Sequence, residues 1–200
     1  ATPKKPRIFP LRRWLQQAAV AVIHRQGEHG TELLFIQRAH KPGDPWSGDM
    51  AFPGGRRQPE DPDNHATAIR ETWEETGLDL HRQAIPGPQL SDQLTRSHRN
   101  NAPMIVTPWL FQWHGDTHFL FSHEVAAALW IPLRHFTDPA QRQTIPWQRR
   151  NVTLNMPCYY FEEKPVWGLT LRMIDDLLAR RGPAVGQRGN RGGGKRGRAI

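Results

Sequence analysis

An α+β fold, a mixed sheet with two principal helices, is predicted by three features of the sequence. Short apolar runs rich in Val and Ile alternate with turns marked by Gly and Pro. A polar segment opens at Asp63 or Asn64, either able to cap a helix, and closes at Gly77, a suitable C′ residue. Near the C-terminus, apolar residues fall at 169, 173, 174, 177 and 178, a helical spacing. Strands followed by isolated helices, with no internal repeat, place the chain in the α+β class.

Taken in order, residues 17–24 read as a strand, apolar throughout. The two glycines of 26–31 make a turn, and 32–37 returns as a second strand, completing a hairpin. Pro42, Gly43, Pro45 and Gly48 force 41–48 into a loop. A short strand at 50–52 ends at Pro53-Gly54-Gly55, a turn, and 56–62 is a polar loop. The first helix then occupies roughly 63–77. Strands are predicted at 90–95, 104–113, 119–121 and 126–131, the last leading through Pro132 into a helical turn at 133–136. Weaker strand patterns cover 143–147 and 153–160, and 169–180 forms the second principal helix.

The chain has 200 residues, 37% of them hydrophobic, enough for one core at this length. Its mean hydropathy of −0.69 leaves much of it polar or loop. With Cys158 as the sole cysteine, a disulfide-stapled secreted fold is excluded. That cysteine sits in an apolar strand and is expected to be buried rather than nucleophilic. The longest apolar stretch, 125–133, is about half the roughly 20 residues that a spanning helix needs, so no membrane association and a cytoplasmic location are expected. The ten histidines include one His-x-x-x-His pair, His114 and His118, but it falls between two predicted strands rather than on a helix, which argues against a zinc site. No Gly-x-x-x-x-Gly-Lys-Ser/Thr run occurs, which excludes a P-loop. The eight tryptophans are expected to fill the core or cover a sheet face.

The formal charge of +8 suggests an anionic partner, but the excess is not spread evenly. Residues 1–13 carry five basic side chains and residues 181–200 carry six, with no acid in either stretch. The middle, 14–180, holds 16 basic against 19 acidic residues, a net of −3. Three segments follow: a basic flexible arm at 1–13, a folded domain at 14–181 and an Arg/Gly-rich tail at 182–200. The arm lacks an apolar run, which excludes a secretory signal and leaves a loose arm, with a mitochondrial-type presequence as the alternative. The tail has almost no large apolar residue and is expected to be disordered. It reads as solubilising, although it resembles the Arg-Gly segments that bind single-stranded nucleic acid.

Chemistry concentrates in the first helix. At 100° per residue, Glu71 and Glu75 lie about 40° apart, and Glu74 lies about 60° to the other side of Glu71. Arg70 stands four residues before Glu74 and can pair with it. Glu71 and Glu75 are then free to point the same way. Two carboxylates on one face suit a hard divalent cation, Mg²⁺ or Mn²⁺, which also takes substrate phosphates as ligands. The alternative is a solvated acidic face.

The stretch from Gly55 through Asp61 to Arg70-Glu71-Thr72-Trp73-Glu74-Glu75-Thr76-Gly77-Leu78 resembles the signature box of the Nudix hydrolases. It departs from that pattern at Thr72, where an aliphatic is usual, and at Asp61, where Glu is usual. Eight residues rather than seven then precede Arg70. The longer box, with Phe52-Pro53-Gly54-Gly55 before it and Ala68-Ile69 inside it, is similar to the coenzyme A pyrophosphatase branch. So are Glu124-Val125 through Trp130-Ile131-Pro132-Leu133, and Trp167-Gly168-Leu169-Thr170. In that branch Leu-Arg-x-His-x-Gly precedes the Phe-Pro-Gly-Gly strand. Here the corresponding residues run from Gly43 to Gly48, with Gly48 retained and Trp46 in the place of His.

The resemblance spans about 17–180 and implies an α/β/α sandwich, a mixed sheet between helices. It also implies metal-dependent hydrolysis of a nucleoside diphosphate linked to another moiety. Coenzyme A leads as substrate, with ADP-ribose or NADH-type dinucleotides as the alternative. A role in RNA association through the tail is the alternative of another class. Glu71 and Glu75 are then direct metal ligands, Glu74 a ligand to a second ion or through water, and Arg70 the residue that orients the carboxylates. The Gly55 carbonyl is a further candidate ligand, and Glu124 a ligand or the general base. Asp61 is assigned a structural Asx-type turn. Arg38, Arg56 and Arg57 are candidates for phosphate contacts, and Trp46 for stacking on a base.

Overall fold

A computed structural model describes residues 5–44, 46–97, 100–149 and 152–181. The 182–200 tail and the first four residues of the basic arm lie outside these. The principal sheet contains β1 (Gln16–Gly27), β2 (Gly30–Arg38), β3 (Met50–Ala51), β4 (Gly54–Arg56), β5 (Ala84–Gln89), β6 (Gln93–Arg96), β7 (Pro103–Trp113) and β8 (Val125–Pro132). Its central order is β3-β2-β1-β7-β5; β4 also pairs with β1, β6 with β7 and β8 with β2. β1 and β7 run parallel from Gln16 opposite Met104 to His24 opposite Gln112, and the other pairs are antiparallel. The sheet is therefore mixed, as the sequence predicts. A second antiparallel sheet is formed by β9 (Gln143–Arg149), β10 (Val152–Phe161) and β11 (Lys164–Trp167).

The apolar character of β1 follows from its central place, since side chains on both faces are buried. Ala19, Ala21 and Ile23 join Leu34, Phe111 and the helix residues Ala68 and Ile69 on one side. Ala18 and Val22 join Leu33, Phe35, Leu171, Ile174 and Leu177 on the other. The first helix, α1 (Asn64–Thr76), thus covers one face and α3 (Gly168–Arg181) the other, completing the α/β/α sandwich. A short α2 (Leu80–Gln83) follows α1. Cys158 is buried. Among the described residues no helix is long and apolar enough to cross a membrane.

Several local expectations are corrected. Gly54-Gly55 is not a turn: Gly54, Gly55 and Arg56 pair with Val20, Ala19 and Ala18 as β4. Residues 119–121 form no strand, because their backbone is used elsewhere. Leu120 N–H donates to Thr76 O (2.9 Å) and Ser122 N–H to Glu75 O (3.1 Å), which satisfies carbonyls that the end of α1 leaves unpaired. The basic arm is tied down from Arg7 onward rather than loose. Arg7 N–H donates to Ser91 Oγ (3.1 Å), Phe9 N–H to Asp92 Oδ2 (2.8 Å), and Arg12 lies 3.7 Å from the same carboxylate. The tryptophans meet the expectation only in part: Trp113 is buried and Trp109 and Trp130 pack from β7 and β8 against the same cluster, whereas Trp14, Trp46 and Trp73 are exposed.

Candidate active site

α1 starts and stops where its caps dictate. Asp63 Oδ1 accepts from Ala66 N–H (2.8 Å), and Gly77 adopts φ +73° while its N–H closes on Trp73 O (2.9 Å). The face toward the sheet carries Thr67, Ala68, Thr72 and Thr76, all fully buried. Thr72 Oγ1 donates to Ala68 O (2.7 Å) and Thr76 Oγ1 to Thr72 O (2.6 Å), so these hydroxyls are satisfied inside the helix. That is how a threonine serves where an aliphatic was expected.

Against α1 runs β4, where Gly54 is required by close approach to backbone and Gly55 lies against a side chain. A Cβ on Gly54 (φ +154°) would strike the Ala19 carbonyl and Val20, and one on Gly55 would strike the Glu71 carboxylate. Gly54 N–H in turn donates to Glu75 Oε2 (2.9 Å). Two carboxylates of α1 are therefore seated on the Gly-Gly backbone. Gly55→Ala is expected to displace the Glu71 carboxylate and weaken divalent-cation binding about tenfold, as loss of a supporting contact does. Mn²⁺ titration by calorimetry measures this.

Arg70 organises the remaining charges. Its Nε and Nη2 donate to Asp61 Oδ1 and Oδ2 (both 2.9 Å), a bidentate pair. Nη1 donates to Glu71 Oε1 (2.9 Å) and Glu74 Oε2 (3.0 Å), and Nη2 also reaches Arg56 O (3.1 Å). The predicted Arg70–Glu74 pair exists, but Glu71 and Glu75 are not free as expected: one is held by Arg70 and the other by Gly54. Asp61 makes no Asx turn with the residues after it. It accepts from Gln58 N–H behind it, from Thr67 Oγ1 and from Arg70, and these donors, Arg70 foremost, hold its carboxyl well below the usual range.

Burial raises the Glu71 carboxyl above its ordinary value, opposed mainly by Arg70. Burial pushes Glu75 up to about 8; the Gly54 N–H opposes this, while the Glu71 and Glu124 charges add to it. The charge of Glu124, at the entry to β8 and outside the box, thus acts on both carboxylates, whereas Glu74 acts on Glu71. Glu124 and Glu74 both remain more than half exposed. Like charges converging in a partly desolvated spot favour a hard divalent cation, and oxygen donors from Glu71, Glu75 and Glu124 with the Gly55 carbonyl suit Mg²⁺ or Mn²⁺. Among the described residues no three His, Cys, Asp or Glu side chains are already drawn together as a cage.

Beside this helix opens a cleft of about 620 Å³ between the principal sheet, the second sheet and the start of α3. Gly54, Gly55 and Glu75 line it, as do Arg38, Arg56 and Trp46. Arg38 Nη2 donates to Asp44 Oδ2 (2.7 Å), and Arg56 Nη2 to Ser97 Oγ (2.6 Å). Arg57 is not brought in: its guanidinium donates to Asp61 O and Pro62 O and fastens the loop. Sequence reasoning missed Asp49, Arg142, Trp147, Arg172 and Asp175, which also line the cleft. Trp167-Gly168-Leu169-Thr170, singled out in the sequence, lines the same cleft.

The sequence profile of the NUDIX domain matches residues 15–153. An uncharacterized protein of Schizosaccharomyces pombe is 49% identical over 115 residues, covering 54% of this chain and 33% of that protein. The uncharacterized Nudix hydrolase NudL of Yersinia pestis is 26% identical over 132 residues, covering 66% of this chain and 63% of that protein. The chain thus spans between a third and just under two thirds of these relatives. Among solved structures, the C. elegans Ap4A hydrolase binary complex superposes with a TM-score of 0.52 at 24% identity, over 60% of this chain and 82% of that one. A MutT/nudix family protein from Enterococcus faecalis gives 0.51 at 15% identity, over 90% and 62%. At these identities the likeness is one of fold.

Proposed function

Because the chain belongs to the NUDIX family, its profile match running over more than half its length, we propose that it is a metal-dependent hydrolase of the pyrophosphate bond in a nucleoside diphosphate linked to another moiety. The observation that carries this reading is the seating of Glu71 and Glu75 on Gly54-Gly55, with Gly54, Gly55 and Glu75 on a cleft also lined by arginines. A bound Mg²⁺ or Mn²⁺ supplies Lewis acidity toward the phosphoryl oxygens and a water of lowered pKa. Glu71, Glu75 and the Gly55 carbonyl would hold it. Glu74 would be a ligand to a second ion or act through water.

The chain's own groups do the rest. Arg70 fixes the outward carboxylates by dividing its five N–H donors among Asp61, Glu71, Glu74 and the Arg56 carbonyl. Glu124 is exposed to solvent and its charge acts on the two buried carboxylates, which fits it to take the proton of the attacking water. Arg38 and Arg56 line the cleft and neutralise charge that builds on the diphosphate.

Coenzyme A and its derivatives are the favoured substrates, cleaved to 3′,5′-ADP and 4′-phosphopantetheine. The sequence resemblance supports this, and so do Arg56 and Arg172 on the cleft, since a 3′-phosphorylated adenosine end needs cations; Arg38 and Arg142, also on the cleft, are paired with Asp44 and Asp175. The test is a panel of coenzyme A, ADP-ribose, NADH and capped RNA in Mg²⁺ and in Mn²⁺, with products identified. Turnover is expected with either cation and none after chelation by EDTA. Release of 3′,5′-ADP assigns coenzyme A, and faster turnover of ADP-ribose or NADH replaces it. Removal of 182–200 is expected to leave small-nucleotide turnover in place. If turnover disappears with the tail, the small-nucleotide reading fails in its simple form.

A further inference from the structure

We infer that a second cavity, at the other end of α3 from the cleft, is a separate ligand site for a free amphiphilic monocarboxylate, an aliphatic chain with one anionic head. The cavity measures about 420 Å³ and shares no lining residue with the cleft. Helix α3 is their common wall. Its residues 168–173 and Asp175 line the cleft, whereas Leu177 and Arg180 line the cavity.

The apolar lining is aliphatic. Leu33 of β2, Leu110 of β7, Leu133 and Leu177 meet there with Leu90, from the link between β5 and β6. Four of these are buried, and Leu110 packs against the same cluster. Close-packed cores seldom leave a void of this size, so one walled by leucine is shaped for an apolar guest. Apart from the His24 imidazole no aromatic ring lines it, which favours a flexible chain over a planar ring system. The charged lining is basic. Lys5 and Arg180 stand on it beside His24, Thr31 and Gln89, and no acid does. Arg180 is already engaged: Nε donates to Asp176 Oδ2 (2.9 Å) and Nη2 to Ser91 Oγ (2.8 Å). The anionic head therefore falls to Lys5, which is exposed. The arm that carries it is anchored two residues on. Arg7 N–H donates to Ser91 Oγ (3.1 Å) and Asp92 N–H to Arg7 O (3.0 Å), so one serine joins the arm to α3.

The test is calorimetric titration of the full chain with straight-chain carboxylates from hexanoate to tetradecanoate, each below its micelle concentration, and with 1-decanol and decyltrimethylammonium. Decanoate is expected to bind one to a chain. Affinity is expected to rise about fourfold for each added methylene, as burial of one methylene gives, and to stop rising once the cavity is full. Decanol and decyltrimethylammonium are expected to bind at least about tenfold more weakly, since neither carries the charge that Lys5 attracts. Affinity that climbs through the whole series with rising stoichiometry is adsorption and overturns the proposal, as does equal binding of the three head groups.

Thr31→Trp, which fills the cavity from the hairpin end of β2, is expected to abolish decanoate binding. Lys5→Glu, a surface change that serves where Thr31→Trp perturbs the fold, is expected to weaken decanoate about tenfold and leave decanol unchanged. Decanoate binding unaltered in either folded variant overturns the proposal. The titrations are run in Mg²⁺ and again in EDTA, with equal affinity expected. Affinity lost in EDTA puts the carboxylate on a metal in the cleft and overturns the site. None of these measurements uses turnover, so failure of the hydrolase reading leaves them standing.

Discussion

Glu75→Gln is expected to lower kcat/KM on the best diphosphate substrate by about a thousandfold while leaving the protein folded. Gln has the same shape, and its amide oxygen can still accept the Gly54 N–H that now reaches Glu75 Oε2 at 2.9 Å. What it loses is the charge that draws a divalent cation onto Gly54-Gly55. Loss of one anionic ligand removes several kcal/mol of transition-state stabilisation, and each 1.36 kcal/mol is a factor of about ten. Stability should move the other way. Burial holds the Glu75 carboxyl at about 8 against an unfolded value of 4.5. Between those two pH values the native protein binds more protons than the unfolded chain, so this group's contribution falls as pH rises. Gln carries no such penalty. Without added cation, the variant's melting temperature should therefore equal or exceed that of wild type, with the gap widening from about pH 4.5 to 8. Turnover retained within about tenfold would take Glu75 out of the site.

That prediction concerns the part of the molecule most legible in the sequence. The signals for α1 are local: Asp63 caps it, Gly77 ends it, and a 100° rotation per residue gathers the carboxylates. The neighbouring elements are governed by distant partners. Gly54-Gly55 has turn composition, yet Ala19 and Val20 across the ladder make it a strand. Arg7 and Phe9 lie in a charged, acid-free stretch, and only Ser91 and Asp92 turn that stretch into docked structure. The cleft is the extreme case. Its three tryptophans are separated by up to 121 residues in the chain, and no periodicity relates a loop, β9 and β11. Asp61 shows a subtler gap: its structural role was legible, but the donors that define that role were not.

The opening charge can be placed in the same terms. The net −3 of 14–180 includes the carboxylates on α1, so under the proposed function the folded domain would meet an anionic substrate with an acidic helix. In the proposed reading, Arg38 and Arg56 on the cleft and Arg70 behind the carboxylates would work beside a divalent cation.

Asp61→Asn is expected to cost about 3 kcal/mol of stability, as breaking one side of a buried ion pair does. For a domain of this size that lowers the melting temperature by about 6–12 °C. The Asp61 side chain is 6% exposed and accepts from four donors: two nitrogens of Arg70, Gln58 N–H and Thr67 Oγ1. An amide has one acceptor oxygen, and whichever way it is turned, its NH₂ faces a donor. The Arg70 guanidinium is then under-neutralised and pulls harder on Glu71 and Glu74, so turnover should fall with stability. The pH dependence separates this from simple loss of packing. The native Asp61 carboxyl titrates below its unfolded value, so its contribution is fully present above about pH 4 and is lost as pH falls through the native value. The stability gap between wild type and variant should therefore be constant at neutral pH and close under acid. Asp61→Glu, which restores the charge, should recover more stability than Asn does. Equal stability of Asp61→Asn and wild type at pH 7 by chemical denaturation would show that Arg70 needs no buried partner, and that the long loop before α1 does not position the catalytic helix.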